Sequence, residues 1–368
     1  MRIGFDAKRA FLNATGLGNY SRNTLNALHR YSKNNHYVLY SPEIKANLFE
    51  NYREFEVHLP ESPVSKIFKP IWRRYSARLL KKHKIDIFHG LSNELPYGIH
   101  KIKIPSLVTI HDLIFMRFPG FYKTIDRNIY QNKVKYACSS AQKIIAISQQ
   151  TKEDIIRFIN VEPNKIEVVY QSVSPVFFER NCLKDVLAKY NVSRNFILSV
   201  GTLEPRKNQL SVLKAIHSEK SDIQIVFVGK QTSYLNKMND FIKANNLQKQ
   251  VLFLNNIPEN HLACLYQNAQ LSVYISHFEG FGLPVIESMA SGCPVITSNV
   301  SCLPETAGGA AILCTPNNFS ELGNQINSLL ENENLRNELI QKGKERARLF
   351  HPEYFAEKMI SLYTGILS

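Results

Sequence analysis

The sequence predicts an α/β protein made of two successive doubly wound parallel sheets, and three observations carry that expectation. Short, almost continuously apolar segments recur along the whole chain, as strands buried on both faces do. Amphipathic helical stretches separate them, which is the βαβ pattern of parallel sheets. The length of 368 residues suits two domains, at about 150 residues for each.

In the first half, "RIGF", "YVLY", "FEVHL", "DIFHG", "SLVTI" and "KIIAIS" read as strands. Helical patterns lie near 19–30, 65–83, 123–139 and 149–159. In the second half, "NFILSVG", "IQIVFVG", "VLFL", "LSVYIS" and "PVITSN" read as strands. The helical patterns there lie near 207–217, 233–246, 259–269, 283–291 and 319–332. Regular patterning lapses at "QSVSPVFFERN", residues 171–181, so a first domain is expected over 1–175 and a second over 176–350. The tail 351–368, "HPEYFAEKMISLYTGILS", reads as an amphipathic helix with no strand after it. It is expected to pack at the junction, back toward the first domain.

The chain is 44% hydrophobic and 21% charged, as expected for a globular protein with large cores. No apolar run reaches membrane-spanning length, and "MRIGFDAKRAF" lacks the core of a signal peptide. The 6 cysteines are scattered without a C-x-x-C pair, so neither a zinc site nor a disulfide framework is expected and a reducing cytoplasm fits best. Residues 1–180 hold 28 Lys/Arg against 15 Asp/Glu, whereas 181–368 hold 17 against 16. The first half is therefore expected to meet something anionic: a membrane surface, a phosphorylated substrate or nucleic acid.

In "SHFEGFGLPVIESMASGCPVI", residues 276–296, Glu279 precedes a helix that Pro284 helps to start, and Glu287 sits about one turn inside it. Gly280 and Gly282 let the backbone turn sharply beside a ligand. Free N–H groups at the helix head favour a phosphate, and carboxylates on either side accept hydrogen bonds from sugar hydroxyls. A sugar–phosphate ligand suits this spacing; a buried helix with one solvated glutamate would read the same way. "SVGTLEPRKNQ" places Arg206 and Lys207 at the carboxyl edge of the second sheet, where ligands of such folds bind. Two cations at a helix start oppose its dipole, which favours an anion-binding role over a solvated pair. Gly16 and Gly18 precede a helix after the first strand and offer a phosphate platform, although an ordinary loop is the commoner explanation of a lone G-x-G. His111 and Asp112 end the strand in "VTIHDL", where a core histidine and a ligand contact are both open readings.

Together "GTLEPRKN", "EGFGLPVIE", "SGCPVI" and "VTIHD" resemble the retaining glycosyltransferases of family four. These are nucleotide-sugar-dependent enzymes of the GT-B fold, with two Rossmann-like domains facing a central cleft. The resemblance runs from the glycine loop at Gly16 to "LPETAGGAAIL" near 313. It implies that Arg206 and Lys207 hold the donor diphosphate and stabilise the leaving group, and that Glu287 binds the ribose hydroxyls. Glu279 and the backbone of Phe281, Gly282 and Leu283 would hold the transferred sugar. Gly16 would approach the diphosphate from the opposite domain and His111 the sugar from that side. The backbone at Asn256–Ile257, in "NNIPENHLACLY", would meet the nucleobase. Two stretches depart from the family pattern, "QSVS" at 171–174 and Gly308-Gly309-Ala310.

The 8 aspartates are never two apart, so no Asp-x-Asp motif exists to bridge a metal to the diphosphate. Neither a metal nor another cofactor is expected, with Arg206, Lys207 and the helix head supplying the positive charge. The resemblance implies retention by same-face displacement, with donor and acceptor meeting between the domains. GDP-mannose is the first expectation for the donor, with UDP-hexoses as the alternative. The stretch "KIFKPIWRRYSARLLKKHK", residues 66–84, has 8 Lys/Arg and no acid, interleaved with Ile67, Phe68, Ile71, Trp72, Tyr75 and Leu79. It suits an anionic membrane surface, or equally a solvated helix with its apolar stripe on the sheet. With the family, it points to a glycan or lipid-linked acceptor in cell-surface polysaccharide assembly, on the inner face of the cytoplasmic membrane. A glycoside hydrolase could use paired carboxylates, and a nucleic-acid binder could explain the basic half. Neither needs both the cation pair and the carboxylates, and nucleic acid is not the expected partner.

Overall fold

The computed structural model describes residues 1–61, 69–180 and 185–368, leaving aside the side chains of 69–71 and 73–75. The chain divides into two compact units, Met1–Ser172 with Pro352–Ser368, and Val173–His351.

The first unit is built on a parallel sheet of strands β1 (Arg2–Asp6), β2 (His36–Tyr40), β3 (Glu56–His58), β4 (Ile87–Gly90), β5 (Ser106–Ile110), β6 (Lys143–Ala146) and β7 (Ile166–Val168). Their order is β3-β2-β1-β4-β5-β6-β7, so the winding reverses between β1 and β4. Every residue of β4 and β5 is buried, which explains why these strands read as unbroken apolar runs. The C-terminal helix Pro352–Leu367 belongs to this unit. It packs on the helix Gly16–Tyr31, with the Phe355 and Tyr20 rings 6.3 Å apart. Its Tyr363 Oη lies 2.7 Å from His89 Nδ1, a buried polar contact that fixes the helix against β4.

The basic stretch forms a helix over Lys69–Lys82. Of the two readings open for this stretch, packing holds at Trp72, which is 6% exposed and joins the same buried cluster as Leu80, with the partly buried Leu79 packed against that cluster. The stripe thus serves packing where it is described; Ile67 and Phe68 lie outside the described residues.

The second unit has strands β8 (Phe196–Val200), β9 (Gln224–Val228), β10 (Val251–Leu254), β11 (Leu271–Tyr274), β12 (Val295–Ser298) and β13 (Ile312–Cys314). All pair in parallel in the order β10-β9-β8-β11-β12-β13, with the reversal between β8 and β11. Both sheets are therefore of the doubly wound, Rossmann-like type expected. Several elements were not anticipated, among them two strands, the helix Glu333–Arg348 and short helices such as Lys8–Leu12, Ile114–Arg117 and Leu303–Ala307. β7 and β13 are edge strands of 3 residues each, too short to show a period. The helix Glu333–Arg348 buries only Leu339, Gly343 and Ala347, a single narrow row in an otherwise polar segment.

Candidate active site

In doubly wound sheets, ligands bind beyond the carboxyl ends of the strands where the winding reverses. In the second unit that point lies between β8 and β11, and the loops leaving these strands carry Arg206, Lys207 and Glu279. The two loops are stitched together by backbone polar groups. The His277 N–H donates to Arg206 O (2.8 Å). Arg206 Nη1 donates to Phe278 O (2.7 Å), and Asn208 Nδ2 donates to Ile275 O (3.2 Å) and Pro316 O (2.6 Å). Asn208 adopts φ +58°, a left-handed conformation that asparagine tolerates better than most residues, and this ends the turn Pro205–Lys207.

The stitching brings three charges together. Glu279 Oε1 lies 2.6 Å from Lys207 Nζ, and its Oε2 lies 2.9 Å from Arg206 Nη1. Arg206 Nη2 also pairs with Glu204 Oε1 at 2.5 Å. Lys207 Nζ donates to Tyr274 Oη (2.5 Å) and lies 5.0 Å above the centre of that ring. Burial alone would raise the Glu279 carboxyl, but the Lys207 and Arg206 charges reverse this and hold it at about 2. For Arg206, burial is outweighed by Glu279 and Glu204, and its pKa is raised. Lys207 is lowered by burial, with Arg206 adding to the effect and Glu279 opposing it. The result is a preorganised cationic pair whose present counter-ion is a carboxylate.

Glu287 lies inside the helix Leu283–Ala290, as the position of Pro284 predicts. Gly282 precedes it at φ +99°, where a Cβ would come within 2.6 Å of Leu303 Cδ2. Only glycine fits that turn. Phe281 is 3% exposed and packs edge-on against Phe350, their ring centres 5.7 Å apart. Burial raises the Glu287 carboxyl to about 8, and the charge of Glu259 adds to this. The Tyr266 hydroxyl, 3.4 Å from Glu287 Oε2, opposes the rise. Asn256 and Ile257 lie between β10 and the helix Glu259–Asn268. Asn256 is exposed at φ +54°, and its N–H donates to Asn255 Oδ1 (2.9 Å), so that amide is already engaged.

The remaining predicted residues belong to the first unit. Gly16 opens the helix Gly16–Tyr31, and a Cβ there would meet nothing within 4 Å, so the helix head is uncrowded. Gly18 has a different role from the one expected of it. Its N–H donates to Thr15 O (2.8 Å), and a Cβ would fall 1.7 Å from Asn13 O. Close packing therefore accounts for this glycine, and its amide is not free for a phosphate. His111 follows β5 and is 5% exposed, with Nε2 donating to Leu91 O (2.8 Å). Burial lowers it to about 4 against the effect of that hydrogen bond, so the ring is neutral near pH 7.

Sequence reasoning missed the residues that support the carboxylate loop. Ser301 Oγ accepts from the Glu279 N–H (3.2 Å), Cys302 Sγ donates to Glu279 O (3.2 Å), and Thr306 Oγ1 donates to Phe281 O (2.6 Å). Nothing in "SCLPET" marks them, because the contacts come from a loop beyond β12. Tyr274 and Tyr266 were also missed. A hydroxyl-bearing ring at the end of β11, next to the reversal, was the available signal for Tyr274. Among the described residues, no group of three or more His, Cys, Asp or Glu is placed to hold a metal ion.

Two family models match the chain. Residues 14–176 match Glycosyltransferase Family 4, and residues 187–346 match Glycosyl transferases group 1. The O-antigen chain mannosyltransferase B of Escherichia coli is 28% identical over 299 residues, covering 79% of this chain and 77% of that one. Sucrose-phosphate synthase from Thermosynechococcus elongatus superposes with a TM-score of 0.82 at 21% identity, covering 100% of this chain and 99% of the other. Anabaena HepE, solved in complex with UDP and glucose, gives 0.78 at 16% identity, with 99% and 100% covered. The structural likenesses establish the fold, and the family matches establish the kind of enzyme. The chain belongs to glycosyltransferase family four and has the GT-B fold of that family.

Proposed function

We propose that this glycosyltransferase moves a hexose, with mannose from GDP-mannose the first choice, to a glycan or lipid-linked acceptor in cell-surface polysaccharide synthesis. The observation that carries the donor site is the Arg206–Glu279–Lys207 cluster at the reversal of the second sheet. A diphosphate brings the negative charge that this cation pair accepts, and each pair of unit charges at 4 Å is worth roughly 4 kcal/mol at an effective dielectric of 20, before desolvation. Glu279, released from the cations, takes hydroxyls of the transferred sugar; Glu287 takes those of the ribose. In this reading the amides of Gly282 and Leu283 also face the sugar, and Asn256–Ile257 the base. In the first unit, Gly16 and neutral His111 take the diphosphate and the sugar.

The reaction proposed is same-face displacement with retention. The bond between the anomeric carbon and the phosphate oxygen breaks as the acceptor oxygen bonds to that carbon on the same face. The departing phosphate oxygen takes the acceptor proton, while Arg206 and Lys207 stabilise its charge without a metal ion. Mannose is supported by the likeness to an O-antigen chain mannosyltransferase. A UDP-hexose donor is the second reading, favoured by the likeness to HepE solved with UDP and glucose. The enzyme acts, in this proposal, on the cytoplasmic side of the membrane.

The test is incubation with labelled GDP-mannose or UDP-hexoses and a polyprenyl-diphosphate-linked saccharide in EDTA, with the new anomeric linkage read by NMR. Transfer with the donor's own configuration is expected. An inverted linkage, or activity abolished by EDTA and restored by a divalent cation, would contradict the mechanism. No transfer from any nucleotide sugar would contradict the donor class.

A further inference from the structure

A surface helix ordinarily turns apolar residues to the core and polar ones to water. The helix Thr124–Ser140 breaks that rule on its outer side. Ile125 and Ile129 are 75% and 45% exposed and stand one turn apart. Each precedes a buried residue, Val134 or Cys138, by nine positions. Nine residues at about 3.6 per turn is two and a half turns, so Ile125 lies opposite Val134 and Ile129 opposite Cys138. The turn just before the helix, Pro119–Phe121, adds Phe121 at 55% exposed. Exposed apolar side chains gathered in this way mark a surface that something else covers.

Charge identifies the cover. Lys133 and Lys135 stand about 80° to either side of Ile125, Lys133 with its Nζ 3.4 Å from Glu94 Oε1, and Lys123 precedes the helix. Asp126 is the sole acid between 118 and 140. A protein partner would offer carboxylates at particular points, whereas a rim of cations around an apolar face matches a layer of anionic headgroups over acyl chains. The wider first half, with its 28 Lys/Arg against 15 Asp/Glu up to residue 180, adds long-range attraction of the same sign. No helix among the described residues is long and apolar enough to cross a membrane, so the contact is interfacial.

We propose that Phe121, Ile125 and Ile129 form an interfacial anchor that docks the first unit on an anionic lipid bilayer. This moves the membrane contact away from the basic stretch 66–84, whose Trp72 is spent in the core. It deepens the reading of a lipid-linked acceptor by naming the surface that meets the acceptor's membrane, and it is independent of the donor site.

The test is co-sedimentation of the full chain with vesicles of phosphatidylcholine alone and with one quarter phosphatidylglycerol. The parent is expected to bind the anionic vesicles and to be released by salt. Replacing Phe121, Ile125 and Ile129 by serine is expected to weaken binding about tenfold or more, with melting temperature and nucleoside diphosphate binding unchanged. Lys123→Glu with Lys135→Glu should weaken binding to anionic vesicles selectively. If the serine variant misfolds, this charge pair still decides. Equal binding by parent and variants, or no binding by the parent, would overturn the anchor. So would a parent dimer on gel filtration that the serine variant converts to monomer, which would assign the surface to a second copy. Loss of lipid binding with nucleotide binding intact separates this proposal from the donor site.

Discussion

Glu279 and Glu287 stand eight residues apart around one helix head, yet they hold different protonation states. Burial pushes both carboxyls upward. Glu279 lies 2.6 and 2.9 Å from Lys207 and Arg206, which bring it down to about 2. Glu287 has the charge of Glu259 and only a tyrosine hydroxyl for support, and it rises to about 8. The same residue type therefore supplies an anion at one end of the motif and a largely neutral acid at the other. An ionised carboxylate only accepts hydrogen bonds, while a protonated one also donates, so the two ends suit different hydroxyl partners.

The comparison breaks hardest at the cations. Lys207→Ala removes one of the two charges proposed to stabilise the leaving diphosphate. It should lower kcat/KM for transfer by about a thousandfold, the upper range for losing one preorganised donor. A loss under tenfold in steady-state assays would place the chemistry elsewhere. Glu279→Gln should lower transfer by about a hundredfold and yet bind the nucleoside diphosphate alone several times more tightly. An amide does not compete with the diphosphate for Arg206 and Lys207, and the free nucleotide has no sugar to miss the carboxylate. Weaker binding by calorimetry would mean that Glu279 and the diphosphate do not share these cations.

The pH dependence of stability separates the two glutamates next. Glu287 is raised from 4.5 to about 8, so the folded protein holds a proton that the unfolded chain has released. Stability is therefore lost as pH climbs from about 4.5 through 8. Glu287→Gln should gain on the parent by about 1 kcal/mol or more between pH 5 and 8.5 in denaturant titrations. Glu279 has the opposite sign: its contribution is full above 4.5 and is lost as pH falls toward 2. A Glu287→Gln advantage that shrinks as pH rises would refute the assignment. The smallest effect belongs to His111. Held neutral at about 4, its ring resonances should stay fixed between pH 5.5 and 8, and a midpoint near 6.5 by NMR would contradict its burial.

The fold was legible because buried parallel strands leave unbroken apolar runs. The candidate site stood out because Arg206, Lys207 and Glu279, which the structure brings together, lie with Glu287 in two short motifs. What escaped was information held by other loops. Ser301, Cys302 and Thr306 hold the Glu279 loop from beyond β12, and Tyr274 supports Lys207 from the end of β11. Composition left Trp72 undecided, because a basic amphipathic helix packed on a sheet and one lying on a membrane share a sequence pattern. The exposed Ile125 and Ile129 were invisible for a related reason. Their segment carries a helical period, but the period does not say which face the core takes.

The most direct test titrates GDP and UDP into the parent and into the Arg206→Ala/Lys207→Ala variant by calorimetry. One nucleotide should bind the parent, and binding to the folded variant should weaken by about a hundredfold or more. If parent and variant bind the same nucleotide equally well, the cation pair does not hold the diphosphate and the account fails at its centre.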